Sequence, residues 1–364
     1  MQATPGEFFV FRDDHMENGT FTLQEILSQP QAWASALDVL KASQADIRRF
    51  QPGEYAQILF TGCGSTYYLA LSAAALTQEL TGAPARAFPA SELWLNPDIV
   101  YTGGKTLLVA VSRSGETSET LHACRAFLDQ KRGDLITLSC YPQTPLAGMG
   151  TLNLVLPSGQ EQSVAQTRAF STLYLGTMAL ACEWSGRADL LDALTRLPEA
   201  GAQVLENSAG LAGELGQDAS LDRFYWLGSG TRYGLACELS LKMKEMSLSH
   251  SEPFHFLEFR HGPKSMITDS AVVIGLRSAR NGQAEGAVLD DMLALGGRVV
   301  DLAFADAPLF PEKATYRLTL PAPLSEAIRN ILYLPVGQRI AFERALSKGL
   351  NPDRPTHLDT VVKL

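Results

Sequence analysis

The sequence has no uninterrupted apolar stretch that approaches the length of a membrane-spanning helix, so we expect no membrane contact. Its first residues, MQATPGEFFVFRDDHM, include early acids and no long apolar run, and they do not resemble a signal peptide. The five cysteines are scattered and odd in number, and no CxxC pair is present, which argues against a disulfide framework or a cysteine zinc site. These absences predict a cytoplasmic protein with reduced thiols.

Clusters of lysine and arginine are also missing, and the net charge is −9. Because nucleic acids attract such clusters, we expect no nucleic-acid partner. A small anionic substrate stays compatible with this charge, since a few local donors suffice to bind it. The 364 residues, 46% of them hydrophobic and 19% charged, are enough for two domains with proper cores.

Apolar strands alternate with helices along the chain, and the order strand, glycine turn, helix, strand occurs twice. The predicted strands are 57–61, 85–90, 106–111, 135–139 and 152–156 in the first cycle, and 223–227, 271–276, 299–303 and 316–320 in the second. Such alternation predicts an α/β fold with parallel sheets covered by helices on both faces and ligands at the carboxyl ends of the strands. We predict an N-terminal helical arm at 1–45, a first domain at 46–205 and a second at 206–364.

Three local predictions concern the arm and the connection between the cycles. Residues 1–18 are polar and expected to be loosely held. Thr22-Leu-Gln-Glu25 matches a capping box, which predicts that a helix opens there. The range 171–216 is interpreted as helical, with a linker around 186–219.

The second cycle contains charged residues at helical spacing. Glu238, Lys242 and Glu245 share one face of the helix that follows strand 223–227, and His261 stands just before a Gly-Pro break. A carboxylate on a helix and an imidazole on a loop are suited to moving protons. The alternative is a solvated Glu/Lys face whose ion pairs contribute a few tenths of a kcal/mol each, with a structural histidine.

The first cycle contains a hydroxyl-rich turn, SRSGETS at 112–118, where a buried strand meets a helix N-terminus. Ser112, Ser114 and Thr117 offer hydroxyls, Gly115 offers a flexible backbone, and the helix end adds partial positive charge. These features favour an anion site. The alternative is a Ser/Thr-rich helix cap without a ligand.

Lys242 and Glu245, followed sixteen residues later by His261-Gly-Pro, resemble the catalytic signature of double SIS-domain (sugar isomerase) phosphosugar isomerases. That family includes the isomerase domain of glucosamine-6-phosphate synthase. The string FRHGPKS at 259–265 is more similar still to AgaS-type ketose/aldose isomerases and amino-sugar-phosphate deaminases. The resemblance implies two tandem SIS domains, each with a flavodoxin-like parallel sheet, and it implies catalytic roles for Glu245, His261 and Lys242.

The resemblance also implies that the turn 112–117 grips the sugar phosphate, with Ser112, Ser114 and Thr117 as the gripping hydroxyls. Arg113 stands where the synthase has a glutamine, and it either adds charge to the grip or points to solvent. The second-cycle turn GLRSARNG at 275–282 lacks a hydroxyl cluster. We therefore expect one phosphate site per chain, in the first domain.

Three further positions match residues of the family's sugar pocket. Ser65 and Thr66 match residues that touch the sugar or the phosphate, and Val164, within a segment similar to the family's "E..VA.TK", would contribute its backbone. Thr360 aligns with a lysine of the family's C-terminal tail that reaches the substrate carbonyl in the synthase, and Lys363 lies three residues later. We expect no glutaminase domain in this polypeptide.

We expect neither a cofactor nor a bound metal, because the spacings of His250, His255 and His261 do not place metal ligands on one helix face. The expected function is 1,2 proton transfer on a hexose or amino-hexose 6-phosphate through an enediol or enolamine. Simple isomerisation and deamination both stay open. A non-catalytic sugar-phosphate-binding regulator is the alternative, although no partner module accompanies the Glu/His pair. The resemblance further implies a homodimer in which His261 reaches the neighbour's site.

Overall fold

The computed structural model describes residues 17–309, 313–321, 324–362 and 364, which form two parallel sheets. The first sheet contains β1 (Gln57–Gly62), β2 (Ala85–Pro89), β3 (Thr106–Val111), β4 (Gly133–Ser139) and β5 (Leu152–Val155). The second contains β6 (Arg223–Leu227), β7 (His250–Phe254), β8 (Ala271–Leu276), β9 (Arg298–Phe304) and β10 (Tyr316–Leu320).

Helices precede, connect and follow these strands. In chain order they are α1 (Thr20–Leu27), α2 (Gln29–Ala42), α3 (Gln44–Ile47), α4 (Ser65–Thr81), α5 (Glu92–Leu95), α6 (Pro97–Val100), α7 (Ser118–Asp129), α8 (Arg168–Trp184), α9 (Ala188–Leu194), α10 (Leu197–Gln217), α11 (Thr231–Ser247), α12 (Gly282–Ala294), α13 (Glu326–Arg329) and α14 (Tyr333–Ser347).

The two sheets have the same topology. Their strand orders are β2-β1-β3-β4-β5 and β7-β6-β8-β9-β10, and every pair is parallel. Strands buried on both faces, such as β3 and β8, are continuous apolar runs, as parallel sheets require. The predicted duplicated α/β fold is confirmed. In each unit the strand order reverses between the first and third strands, which is where open α/β sheets bind ligands.

The turn after the first strand of each unit has the same shape. Gly64 (φ 55°, ψ −123°) and Gly230 (φ 59°, ψ −130°) adopt a conformation that is accessible mainly to glycine. Two residues earlier, a Cβ on Gly62 would lie 2.4 Å from Thr66 Oγ1, and one on Gly228 would lie 2.3 Å from the carbonyl oxygen of Arg232. Both turns therefore depend on a pair of glycines.

The two units meet where α11 of the second packs on α4 of the first. A Cβ at Gly234 would lie 2.3 Å from the carbonyl oxygen of Tyr68, so the missing side chain allows a close crossing of the helices. One apolar core extends through both units, from Trp33 of the arm through Leu239 to Ala345. This crossing brings the charged face of α11 to the beginning of α4.

The capping-box prediction at Thr22 is wrong. Helix α1 begins at Thr20, and the backbone amide and hydroxyl of Thr22 both donate to Asp353 Oδ1, at 2.7 Å each. The cap therefore comes from the distant C-terminal tail. Glu25, the expected capping acid, instead accepts a hydrogen bond from the amide of Gln162 at 2.6 Å.

The predicted helical character of 171–216 is confirmed, and the apparent linker at 186–219 consists largely of α9 and the 21-residue helix α10. The predicted domain boundary near residue 205 falls inside α10. Strand β7, an edge strand, was not expected from the sequence. The prediction for residues 1–18 lies almost wholly outside the described residues.

Candidate active site

A buried cluster of charged groups lies where the two units meet. Lys242 Nζ donates to Ser65 Oγ at 3.2 Å and to Glu245 Oε2, and it lies 3.3 Å from Glu238 Oε1. The side chains of Lys242 and Glu238 are 0% exposed, whereas that of Glu245 is 18% exposed. The second unit thus places a carboxylate with access to solvent against the glycine turn of the first.

The interpretation of this helix face as solvated is wrong. The apolar residues of α11, including Leu239 and Met243, are buried in the core, and the neighbouring charged face, which includes Glu238 and Lys242, lies against α4. Glu238 was not among the predicted site residues. Its position one helical turn before Lys242 is the sequence feature that could have identified it. Its burial depends on the packing of the other unit.

Burial and neighbouring charges shift the protonation of this cluster. Burial raises the pKa of Glu238 to about 8, even though Lys242 acts to lower it. Burial alone would lower the pKa of Lys242, but the charges of Glu238 and Glu245 outweigh it and raise that pKa. Near neutral pH the cluster therefore holds a charged lysine, and Glu238 retains a proton in much of the population.

This shift predicts how stability depends on pH. The folded pKa of Glu238 is raised above the ordinary value of 4.5, so its contribution to stability is complete below pH 4.5 and is lost as pH rises through about 8. Across that window the free energy of unfolding of the wild type should fall, relative to Glu238→Gln, by at most about 1.4 kcal/mol per pH unit. Urea unfolding of both proteins from pH 5 to 8.5 measures the difference, and parallel curves would contradict the assignment.

The predicted anion turn, 112–117, joins β3 to the N-terminus of α7. Ser112 Oγ accepts a hydrogen bond from the Gly115 amide at 3.1 Å and lies 3.3 Å from Thr117 Oγ1. Ser114 Oγ accepts from the Glu116 amide at 3.1 Å. Because β1 and β3 are neighbours in the sheet, this turn and the glycine turn that contains Ser65 lie at the same edge.

Gly115 is required in this turn. Its φ is 68°, and a Cβ there would lie 2.1 Å from Thr144 Oγ1. Thr66 supports the neighbouring turn, because its hydroxyl accepts from the Cys63 amide at 2.9 Å and donates to the Cys63 carbonyl at 3.0 Å. A substrate contact by Thr66 stays a prediction.

Arg113 does not point to solvent, and that alternative is wrong. Its side chain is 5% exposed. Its guanidinium donates to the carbonyl oxygens of Val164 at 2.9 Å, Ser163 at 3.3 Å and Thr360 at 3.0 Å. The Val164 amide in turn donates to the Asp353 carbonyl at 3.0 Å. Both the amide and the carbonyl of Val164 thus form hydrogen bonds within the protein. A phosphate contact by Arg113 stays a prediction.

The C-terminal tail lies along the beginning of α7. The Ser118 amide donates to the Val362 carbonyl at 3.4 Å, and the Leu364 amide donates to Ser118 Oγ at 3.1 Å. With the bond from Arg113 to Thr360, these contacts hold the tail beside the anion turn. Lys363 lies outside the described residues.

His261 is on an exposed loop, and its own backbone amide donates to the Glu258 carbonyl at 2.9 Å. Within one chain its imidazole is exposed, whereas Lys242 is buried.

His255 stacks on Tyr233, with ring centroids 3.8 Å apart. In the described ranges, no three His, Cys, Asp or Glu side chains come together as metal ligands. Among the described helices, none has the length and hydropathy needed to cross a membrane.

Comparison with known proteins identifies the first unit. Residues 54–182 match the sequence model of the SIS domain, a segment that includes the whole first sheet. The chain is 26% identical over 349 residues to the glutamine–fructose-6-phosphate aminotransferase (isomerizing) of Methanothermobacter thermautotrophicus, an alignment that covers 93% of this chain and 56% of that protein. The chain thus spans a little over half the length of the curated relatives it matches.

Solved structures resemble the chain over nearly its full length. Glucosamine-6-phosphate deaminase from Thermotoga maritima superimposes with a TM-score of 0.80 and 25% identity, covering 95% of this chain and 100% of that one. Tagatose-6-phosphate ketose/aldose isomerase from Escherichia coli gives a TM-score of 0.81 and 22% identity, with coverage of 92% and 95%. Residues 54–182 therefore match an SIS domain, and the chain as a whole shares the fold of these solved structures.

Proposed function

We propose that the chain is a phosphosugar isomerase or deaminase that moves a proton between C2 and C1 of a hexose or amino-hexose 6-phosphate. The observation that carries this proposal is the cluster of Lys242, Glu245 and Glu238 against Ser65. It places a partly exposed carboxylate next to a buried cation, at the edge of the sheet where the anion turn lies. The similarity to a protein named glucosamine-6-phosphate deaminase at 25% identity supports the same class of substrate.

Each residue of the cluster has a role in the proposed reaction. Glu245 removes the C2 proton and returns it to C1, through an enediol or an enolamine. Lys242, which donates to Glu245 Oε2, offsets negative charge that develops on the substrate oxygen. Glu238, whose Oε1 lies 3.3 Å from Lys242 Nζ, is the second carboxyl group beside the buried lysine.

The outcome depends on the group at C2. With a hydroxyl at C2, the product is the ketose. With an amine, protonation of the enolamine at C1 leaves an imine, and its hydrolysis by water releases ammonia. His261 is suited to opening the sugar ring, because an imidazole can both donate and accept a proton. Incubation with glucosamine, galactosamine, fructose and tagatose 6-phosphates, followed by assays for ammonia and for the ketose or aldose product, tests the proposal.

The anion turn supplies a prediction about binding. Ser114→Ala should weaken the affinity for a sugar phosphate several-fold or more, because it removes a donor from the turn at the N-terminus of α7. The free energy of unfolding should change by only about 1 kcal/mol, since the lost hydroxyl caps a turn. Calorimetric titration and urea unfolding measure the two effects. Unchanged affinity would place the phosphate elsewhere.

We further propose a homodimer with shared active sites, because His261 is exposed within one chain while the Glu245 cluster lies between the units. Mixing Glu245→Gln and His261→Asn protomers, each inactive alone, should restore part of the activity, since some mixed dimers contain one intact site. Subunit exchange is followed with a tag on one variant. If mixed dimers form and no activity returns, each site is built from one chain.

A further inference from the structure

The second unit has the same arrangement of turns as the anion site predicted for the first unit. Its glycine turn, with Gly230 in the same conformation as Gly64, lies at the end of β6, and the loop 277–282 follows the neighbouring strand β8. These are the counterparts of the turn that contains Ser65 and of the turn 112–117. A phosphate bound by analogy would lie between them.

Two carboxylates of the chain itself occupy this place. Glu285 accepts from Arg232 Nη2 at 2.6 Å and from the Ser278 amide at 2.7 Å. Glu326 accepts from Arg232 Nη1 at 3.1 Å and from the Arg280 amide at 3.2 Å. Each carboxylate therefore bridges the guanidinium fork and one amide of the loop. An arginine fork with backbone amides is the donor set that proteins use for phosphate.

A small cavity lies against Glu326. It has a volume of about 120 Å³ and is lined in part by Arg232 and Asn330. Both side chains are nearly fully buried, and Arg232 Nε and Asn330 Oδ1 have no hydrogen-bond partner among the described residues. Of these two atoms only Arg232 Nε is a donor, and Arg232 lines the cavity beside the carboxylate that a ligand would replace.

We propose that Glu285 and Glu326 are internal substitutes for a phosphate, and that this site is a latent anion site. With both carboxylates in place, the second unit binds no phosphate, so the chain has a single site for a phosphorylated ligand. Loss of the Glu326 carboxylate opens the latent site to inorganic phosphate, which the Arg232 fork and the Arg280 amide then hold. This inference concerns binding alone and does not rest on the proposed reaction.

Glu326→Ala tests the proposal, because the Glu326 side chain is 27% exposed and its loss should be tolerated by the fold. Titration with inorganic phosphate, followed by calorimetry at low ionic strength, should show one more equivalent bound than in the wild type. Affinity for that equivalent should exceed any wild-type binding at this position by roughly tenfold or more, since repulsion by the carboxylate is gone. The measured quantity is the difference in bound phosphate between Glu326→Ala and the wild type. Any phosphate bound by the turn 112–117 is present in both proteins and cancels.

Three further variants separate the site from a general effect of charge. Glu206→Ala removes an exposed acid from α10 and should add no binding site. Glu326→Gln keeps the side-chain shape. Phosphate should raise the midpoint temperature of its thermal unfolding more than it raises that of the wild type. Arg232→Lys in the Glu326→Ala background loses the fork and should weaken the new site. Folded Glu326→Ala and Glu326→Gln proteins that bind no more phosphate than Glu206→Ala would overturn the proposal.

Discussion

Glu245→Gln is expected to lower turnover of the sugar phosphate by about 10²–10⁴, the usual contribution of a general base. Glutamine keeps the shape and the hydrogen-bonding reach of the side chain but cannot accept the proton. Substrate affinity should remain close to that of the wild type, because the anion turn belongs to the other unit. Turnover is measured by the formation of ketose or ammonia, and affinity by calorimetric titration.

The control for this substitution is Glu206→Gln, which makes the same chemical change at an exposed position on α10. It should retain full turnover. If Glu245→Gln retains turnover as well, Glu245 only pairs with Lys242 and another group must be the base. If Glu245→Gln loses both turnover and binding, the cluster shapes the site without being shown to act as the base.

Lys242→Met is expected to lower the free energy of unfolding by about 3–5 kcal/mol, since it leaves buried carboxyl groups without their cation. Methionine preserves most of the buried volume, so the loss reports on charge rather than on packing. Urea unfolding at pH 8 measures it. At lower pH the cost should shrink, because Glu238 takes up a proton.

Lys244→Met is the matched control on the same helix, because Lys244 is exposed two residues away. It should change the free energy of unfolding by no more than about 0.5 kcal/mol. Adding Glu238→Gln to Lys242→Met should recover part of the loss, as expected for residues that interact directly. Equal effects of Lys242→Met and Lys244→Met would contradict a buried ion cluster.

Most of the sheet framework could be predicted from the sequence. The largely apolar runs of β3 and β8 have the predicted bounds, because strands buried in parallel sheets are continuous hydrophobic segments. Strand β7 was missed, since the sequence HSEPF has neither a continuous nor an alternating apolar pattern. As an edge strand it tolerates a proline that a central strand would exclude.

The sequence could predict which residues form the candidate site, but not how deeply they are buried or which distant residues contact them. Helical spacing brought Lys242 and Glu245 together, while the burial of Glu238 depends on α4 of the other unit. Likewise, Arg113 is held by Thr360, which is 247 residues away in the chain. Periodicity and local motifs describe residues that are close in sequence. Contacts that form only by tertiary packing therefore cannot be predicted from them.

The central claim is that Glu245 moves a proton between C2 and C1 of a bound sugar phosphate. Solvent exchange tests it most directly: the wild type and Glu245→Gln are incubated in D₂O with each hexose and amino-hexose 6-phosphate, and the C1 and C2 hydrogens are followed by NMR. We predict that the wild type incorporates deuterium at these carbons for at least one of the sugars and that Glu245→Gln does not. A wild type that binds a sugar phosphate yet neither exchanges a C1 or C2 hydrogen nor forms ketose, aldose or ammonia would contradict the claim and indicate a non-catalytic binding protein.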